Sequence, residues 1–292
     1  MLEDKSFQNN PEWHGEDGAP LQGTESIPLD CHGASVMGKG RRVNQDDYLL
    51  TSLDVPSDSA HGPAFLFAVA DGIGGGPAGD RASSMAIQTL HDFVRRTAQE
   101  PGLLQAIDPG ELLRKGVLRC HDEILADVDA HPELFGMGTT LTAALVLWPK
   151  AWIVNAGDSR CYLLRDSRLD RLTFDHTLVQ KLTDEGILTP ETARKSRWRH
   201  ALWNHLGKNS SPLDPQLATA GLKLGDGLLL TTDGITDPLF DADLEALLRE
   251  PGSAKSLSRN ILQAADVKGA RDDMSLVFAR FARRLGSDPD PD

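Results

Sequence analysis

Residues 139–172, TTLTAALVLWPKAWIVNAGDSRCYLLRDSRLDRL, carry three apolar runs in succession with no helical pattern between them. AWIVNA (151–156), the turn residues GDSR and CYLLR (161–165) read as a β-hairpin followed by a tight DSR turn, so the stretch is a meander. Working outward, further strand-like runs stand at 48–53 (YLLTSL), 65–70 (FLFAVA), 227–232 and 274–281, most of them bounded by Gly, Pro or Asp. Two long helical patterns interrupt them. The first, about 79–98, carries Ala82, Met85, Ala86, Leu90 and Phe93 at helical spacing. The second starts at Asp108 with Pro109 in its first turn and repeats Leu113, Val117, Ile124 and Val128. No strand separates them. Strands grouped apart from helices predict an α+β fold, antiparallel sheets with helices packed outside, and not alternating βαβ units. Residues 175–215 read as a polar, helical insertion on the main sheet, ahead of two late helices near 241–250 and 254–265.

The 292 residues are 40% hydrophobic and 25% charged, which excludes a collagen, a disordered chain and a membrane protein. No apolar stretch approaches the roughly 18 residues needed to span a bilayer, and no cationic segment followed by an apolar one opens the chain, so a cytoplasmic protein is expected. A net charge of −13 repels a phosphate backbone, so no nucleic-acid partner is expected. Much of that charge is terminal: residues 1–30 carry −6 and 286–292 carry −3. These ends lack periodic apolar residues and read as acidic tails around one domain, 31–285. Cys31, Cys120 and Cys161 show no CxxC spacing and read as reduced thiols.

Chemistry points to the aspartates at strand ends. FLFAVA runs into Asp71 and LLLTT into Asp233, while Asp46 and Asp47 precede YLLTSL and Asp272 and Asp273 precede MSLVFARF. Where such strands are antiparallel neighbours, these acids converge on one rim. Carboxylates gathered at the edge of a low-dielectric core raise each other's pKa and repel unless cations neutralise them. All-oxygen ligands select Mg²⁺, Mn²⁺ or Ca²⁺ over zinc or copper. Gly72 and Gly234, each directly after an acid, would let the backbone approach an ion or would serve a tight turn.

The ordered strings RRVNQDD (41–47), FAVADGIGG (67–75), GMGTTLTAAL (136–145), VNAGDSRCYLLR (154–165), LTFDHTLVQKLTDEGILTP (172–190), LLLTTDGITD (228–237) and GARDDMSLV (269–277) resemble the metal-dependent protein phosphatases of type 2C, the bacterial stand-alone members above all. The resemblance covers about residues 31–281. It implies a four-layer α-β-β-α sandwich with 175–215 as a flap beside the active site. It implies two Mn²⁺ or Mg²⁺ ions held by Asp46, Asp71, the Gly72 carbonyl, Asp233 and Asp272, with Asp71 bridging both. It also implies in-line attack of a bridging water on phosphoserine or phosphothreonine, with Arg41 holding the phosphate. The implied partners are phosphorylated proteins and a cognate Ser/Thr kinase, and a monomer is the default.

Departures from the family pattern bear on mechanism. Gln45 stands where many members have Glu, Asp273 where Asn is usual, and Ile73 where many eukaryotic members carry a His that could act as general acid. Phe135 and Gly136 replace the Asp through which many bacterial members bind a third ion, which leaves Glu133 as the one substitute. Gln45, Ile73 and the lost third site support one rival, a catalytically weak phosphatase-like module that binds phosphoproteins. A second rival is a dinucleotide enzyme built on the GxGxxG of Gly74, Gly76 and Gly79, although no strand follows where that fold needs one. GASVMGKG (33–40) nearly spells a P-loop but ends in Gly40 instead of Ser or Thr, after a poor buried strand. TARKSRWRHALWNHLGK (192–208) has five basic residues and no acid; it reads first as an amphipathic helix burying Trp198 and Trp203, and second as a substrate contact. Asp158 reads as a hairpin-turn residue, and His176, His200 and His205 as surface or core residues.

Overall fold

The computed structural model describes residues 27–55, 63–73, 78–100, 102–207 and 212–281. Strands β1 (Leu29–Val36), β2 (Asp46–Leu53) and β3 (Ala64–Ile73) lead into helices α1 (Ala78–Gln99), α2 (Leu103–Ala106) and α3 (Pro109–Ala130). The meander follows as β4 (Gly138–Thr139), β5 (Leu141–Leu147), β6 (Lys150–Ala156), β7 (Arg160–Arg165) and β8 (Arg168–Arg171). The insertion holds α4 (Leu178–Asp184), α5 (Pro190–Lys195) and β9 (Leu206–Gly207). Then come β10 (Gln216–Gly221), β11 (Gly227–Thr231), α6 (Asp233–Thr236), α7 (Asp241–Leu248), α8 (Ala254–Val267) and β12 (Met274–Phe281).

The strands form two sheets, one in the order β1-β12-β11-β7-β8 and one in the order β10-β6-β5-β3-β4-β9, with β2 also paired to β3. Every pairing is antiparallel. Period-two burial builds the layers. From β3, Phe65, Phe67 and Val69 enter the core between the sheets, packed with Leu228 and Leu230 of β11 and Val277, Ala279 and Phe281 of β12. The alternate residues Leu66, Ala68 and Ala70 face α1 and α3, where Leu90, Leu113, Val117 and Ile124 cover them. Across the other sheet, Leu229, Leu276 and Phe278 meet Leu244, Leu257 and Ile261 of α7 and α8. The result is the α-β-β-α sandwich. Local chemistry sets the helix start at 109: Asp108 accepts from the Glu111 N–H, and Pro109 occupies the first turn.

Several readings are corrected. Leu29 and Asp30, assigned to the tail, belong to β1, and GASV of the P-loop string is its second half, paired in register with Met274–Val277. The dinucleotide reading fails because β3 runs antiparallel to β2 and β5 and α1 leads to α3, not to a parallel strand. Among the described residues of 192–208, only those through Lys195 are helical, and Trp198 is half exposed rather than buried. Residues 1–26 and 282–292, which hold nearly all of the first acidic tail and the whole of 286–292, lie outside the described residues, as do Gly74 and Gly76.

His176 holds the root of the insertion. Buried, it accepts from the Gly157 N–H at 3.1 Å and meets the Asn204 side-chain amide at 3.0 Å, both at Nδ1, and burial pushes its pKa down to about 4. The unfolded chain therefore binds a proton that the folded one refuses, so this stability is complete above the ordinary histidine pKa and is lost as pH falls toward 4. Between about pH 7 and pH 5 the His176 contribution falls by about 2 kcal/mol. Urea titrations at both pH values check this: wild type loses that much more stability on acidification than His176→Gln.

Candidate active site

The face of β3 that carries Phe65, Phe67 and Val69 continues to Asp71, and the register sets Asp46 of β2 directly opposite it. Core-forming strands thus run out into paired carboxylates at one edge. The backbone there is clamped. Asp71 N–H donates to Thr140 Oγ1 at 3.0 Å, and its carbonyl accepts from the Thr140 N–H and the Thr139 hydroxyl, both at 2.9 Å. Asp233 opens α6 after β11, and Thr232 before it donates its hydroxyl to Asp46 Oδ2 at 2.8 Å. Asp272 precedes β12 and is tied to the guanidinium of Arg41.

Burial pushes the Asp46 and Asp71 carboxyls well above the ordinary range; neighbouring Asp233 raises both further. Burial alone would raise Asp233 as well, but hydrogen bonds from His200 and from the Asp71 carboxyl hold it below the usual value. Asp272 is raised by burial and by Asp233. Two buried oxygens, Asp46 Oδ1 and Asp233 Oδ1, accept no hydrogen bond. Buried carboxylate oxygens without donors, in a set of like charges, are what divalent oxygen-seeking cations satisfy. The donor set therefore fits the group that its chemistry implies.

Asp273 has a different task from the one its charge suggests. It is buried and takes the backbone N–H groups of Gly38 and Gln45, each at 2.8 Å, which fixes the loop between β1 and β2. From that loop Arg41 reaches the rim, donating to Gln45 Oε1 at 2.8 Å beside Asp272 and Asp273. Gln45 also closes the backbone around Gly72, whose N–H donates to the Gln45 carbonyl at 3.0 Å. A Cβ on Gly72 would stand 2.2 Å from the Gly79 carbonyl oxygen, so this glycine serves close backbone packing at a strand end, not a tight turn.

Two residues set aside in the sequence belong to the site. Asp158, in the β6–β7 turn, is buried, and burial followed by the Asp233 charge raises its carboxyl. His200 places Nδ1 3.2 Å from Asp233 and Nε2 3.3 Å from Asp237. Donor atoms of Asp158, His200 and Asp233 all lie within 4.8 Å of one another. Turn chemistry explains an aspartate in GDSR locally, which hid the first, and only the fold of the insertion brings the second across. Glu133 stands exposed beside Arg81.

Comparison with known proteins follows the same lines. The family model of protein phosphatase 2C matches residues 32–182. The chain is 38% identical over 225 residues to the serine/threonine protein phosphatase PstP of Mycobacterium tuberculosis, covering 76% of this chain but 41% of that protein's length. It is 32% identical over 210 residues to the serine/threonine phosphatase stp of Listeria monocytogenes, covering 72% of this chain and 82% of the relative. A crystal structure of the PstP catalytic domain in complex with two manganese ions superposes with a TM-score of 0.71 at 34% identity, covering 87% of this chain and 99% of the other. Strand register, acidic rim and these matches agree: the chain belongs to the protein phosphatase 2C family.

Proposed function

We propose that this chain is a metal-dependent phosphatase of phosphoserine and phosphothreonine in proteins. The observation that carries the reading is the set of buried Asp46 and partly buried Asp71 and Asp233, with two buried carboxylate oxygens that no donor satisfies, joined at the rim by Asp272 and Arg41. In this reading Asp46, Asp71, the Gly72 carbonyl, Asp233 and Asp272 hold two Mn²⁺ or Mg²⁺ ions. Such ions neutralise the carboxylates, bind phosphoryl oxygens and supply a water acidified enough to attack phosphorus in line. Arg41 orients the phosphate by paired N–H donation, and Gln45 orients Arg41. Thr139 and Thr140 keep Asp71 in place by fixing its backbone, so the ligand geometry is set before substrate arrives.

Gln45, one support of the weak-module alternative, has work of its own here in holding Arg41 and the loop around Gly72. Substrates are phosphoproteins, including targets of a cognate Ser/Thr kinase, met by a monomer in the cytoplasm; no helix among the described residues is long and apolar enough to cross a membrane. Hydrolysis of a phosphothreonine peptide tests the reading. Turnover stops on chelation and returns with Mn²⁺; a protein that binds Mn²⁺ and turns over no phosphopeptide refutes it.

A further inference from the structure

We propose that the cleft beside the acidic centre selects phosphopeptides whose residues flanking the phosphate are acidic, through arginines on the flap and on the loop between α8 and β12. The inference rests on the phosphatase reading and adds a substrate class to it. The cleft measures about 880 Å³, room for several residues, and Arg41, Arg194, Arg199 and Arg271 stand among its lining groups.

Its acids are largely engaged. Asp175 is held by Arg160 at 2.7 Å and by Arg171 at 2.5 Å. Asp241 takes the Tyr162 hydroxyl at 2.9 Å, and Asp158, Asp233 and Asp272 belong to the centre. Several cations are not matched in this way. Arg194 meets the carbonyls of Thr236 and Asp237 and the ring of Phe240, 3.9 Å away, with no carboxylate among these partners. Arg199 lies 3.8 Å from Asp237, with both side chains nearly half exposed, a loose contact. Arg271, on the opposite wall, makes no ion pair among the described residues.

Packing alone does not require arginines without carboxylate partners on both walls of one mouth, in a chain of net charge −13. Guanidinium groups give forked bonds to carboxylates. Lysine or arginine flanks would meet like charge there, so the same wall excludes as well as attracts. Within a Debye length of about 10 Å these local cations outweigh the acidity of the distant surface.

Three phosphothreonine peptides of equal length, flanked by Glu, Ala or Lys, test the proposal with Mn²⁺ present. At low salt the Glu peptide should exceed the Ala peptide in kcat/KM by about tenfold, and the Lys peptide should fall below both, with the differences shrinking at about 0.5 M salt. In the double variant Arg199→Glu, Arg271→Glu the order of the Glu and Lys peptides should reverse; this ratio reads the walls whatever happens to overall turnover. Equal rates on the three peptides in wild type, or an unchanged ratio in the double variant, overturn the proposal while leaving the phosphatase reading intact. Failure to hydrolyse any of them removes both.

Discussion

Asp71→Asn and Asp233→Asn should each lower kcat/KM on a phosphothreonine peptide by about a thousandfold or more, and Asp71→Asn should leave the metal-free protein no less stable than wild type. The two halves of this result have one cause. In the folded chain the Asp71 carboxyl is buried against Asp233, Asp46, Asp158 and Asp272, and each of these raises its pKa. Without cations this arrangement costs stability, because like charges are held together out of water. At position 71 an amide removes the charge and keeps the shape, so the thermal midpoint of that variant measured with chelator should hold or rise by a few degrees, about what 1 kcal/mol gives in a domain of this size. Activity goes the other way: in the proposed mechanism several kcal/mol of transition-state stabilisation depend on the ions these oxygens would hold. The wild-type midpoint should climb when Mn²⁺ is added, and that climb should largely vanish in both variants. A variant that stays active, or that keeps the full Mn²⁺ shift, would show that the carboxylate has a structural role only.

Legibility in the sequence follows how locally each feature is determined. FLFAVA, LLLTT and MSLVFARF are buried on both faces, so their composition alone marks β3, β11 and β12. By contrast β1, LDCHGASV, is an edge strand and half-buried throughout, and β10, QLATAG, is another edge; neither has an apolar run to announce it. In the site, Asp46, Asp71 and Asp233 stand where strands begin or end, which sequence reading detects, and the antiparallel register then joins them. What escaped were residues whose surroundings come from far along the chain. Asp273 bonds backbone 228 and 235 residues away, and His200 meets Asp233 only because the insertion folds back over the rim. No spacing rule encodes either.

Gly234→Ala should be the most damaging single-atom addition to the fold near the site. The glycine follows Asp233 in α6, and a Cβ built there would lie 1.9 Å from the backbone oxygen of Asp273, a position that no rotamer change can clear. Relief requires α6 or the start of β12 to move. Asp273 carries the N–H groups of Gly38 and Gln45 on its carboxylate, so a shift there propagates to the loop that presents Arg41. On the other side, displacing α6 moves Asp233 away from Asp46 and Asp71. Overpacking of a well-packed core costs about 1–3 kcal/mol where neighbours can adjust, and a backbone obstacle puts this change at or beyond the upper end. The expected outcome is a loss of about 3 kcal/mol or more in urea unfolding, together with loss of phosphopeptide hydrolysis at temperatures where the variant is still folded. Gly225→Ala is the control: its φ of +100° carries ordinary backbone strain but a Cβ there meets nothing within 4 Å, so its cost should stay near 1–2 kcal/mol with hydrolysis retained. If Gly234→Ala proved as mild as that control, the close approach of α6 to the start of β12 would not be what fixes the rim.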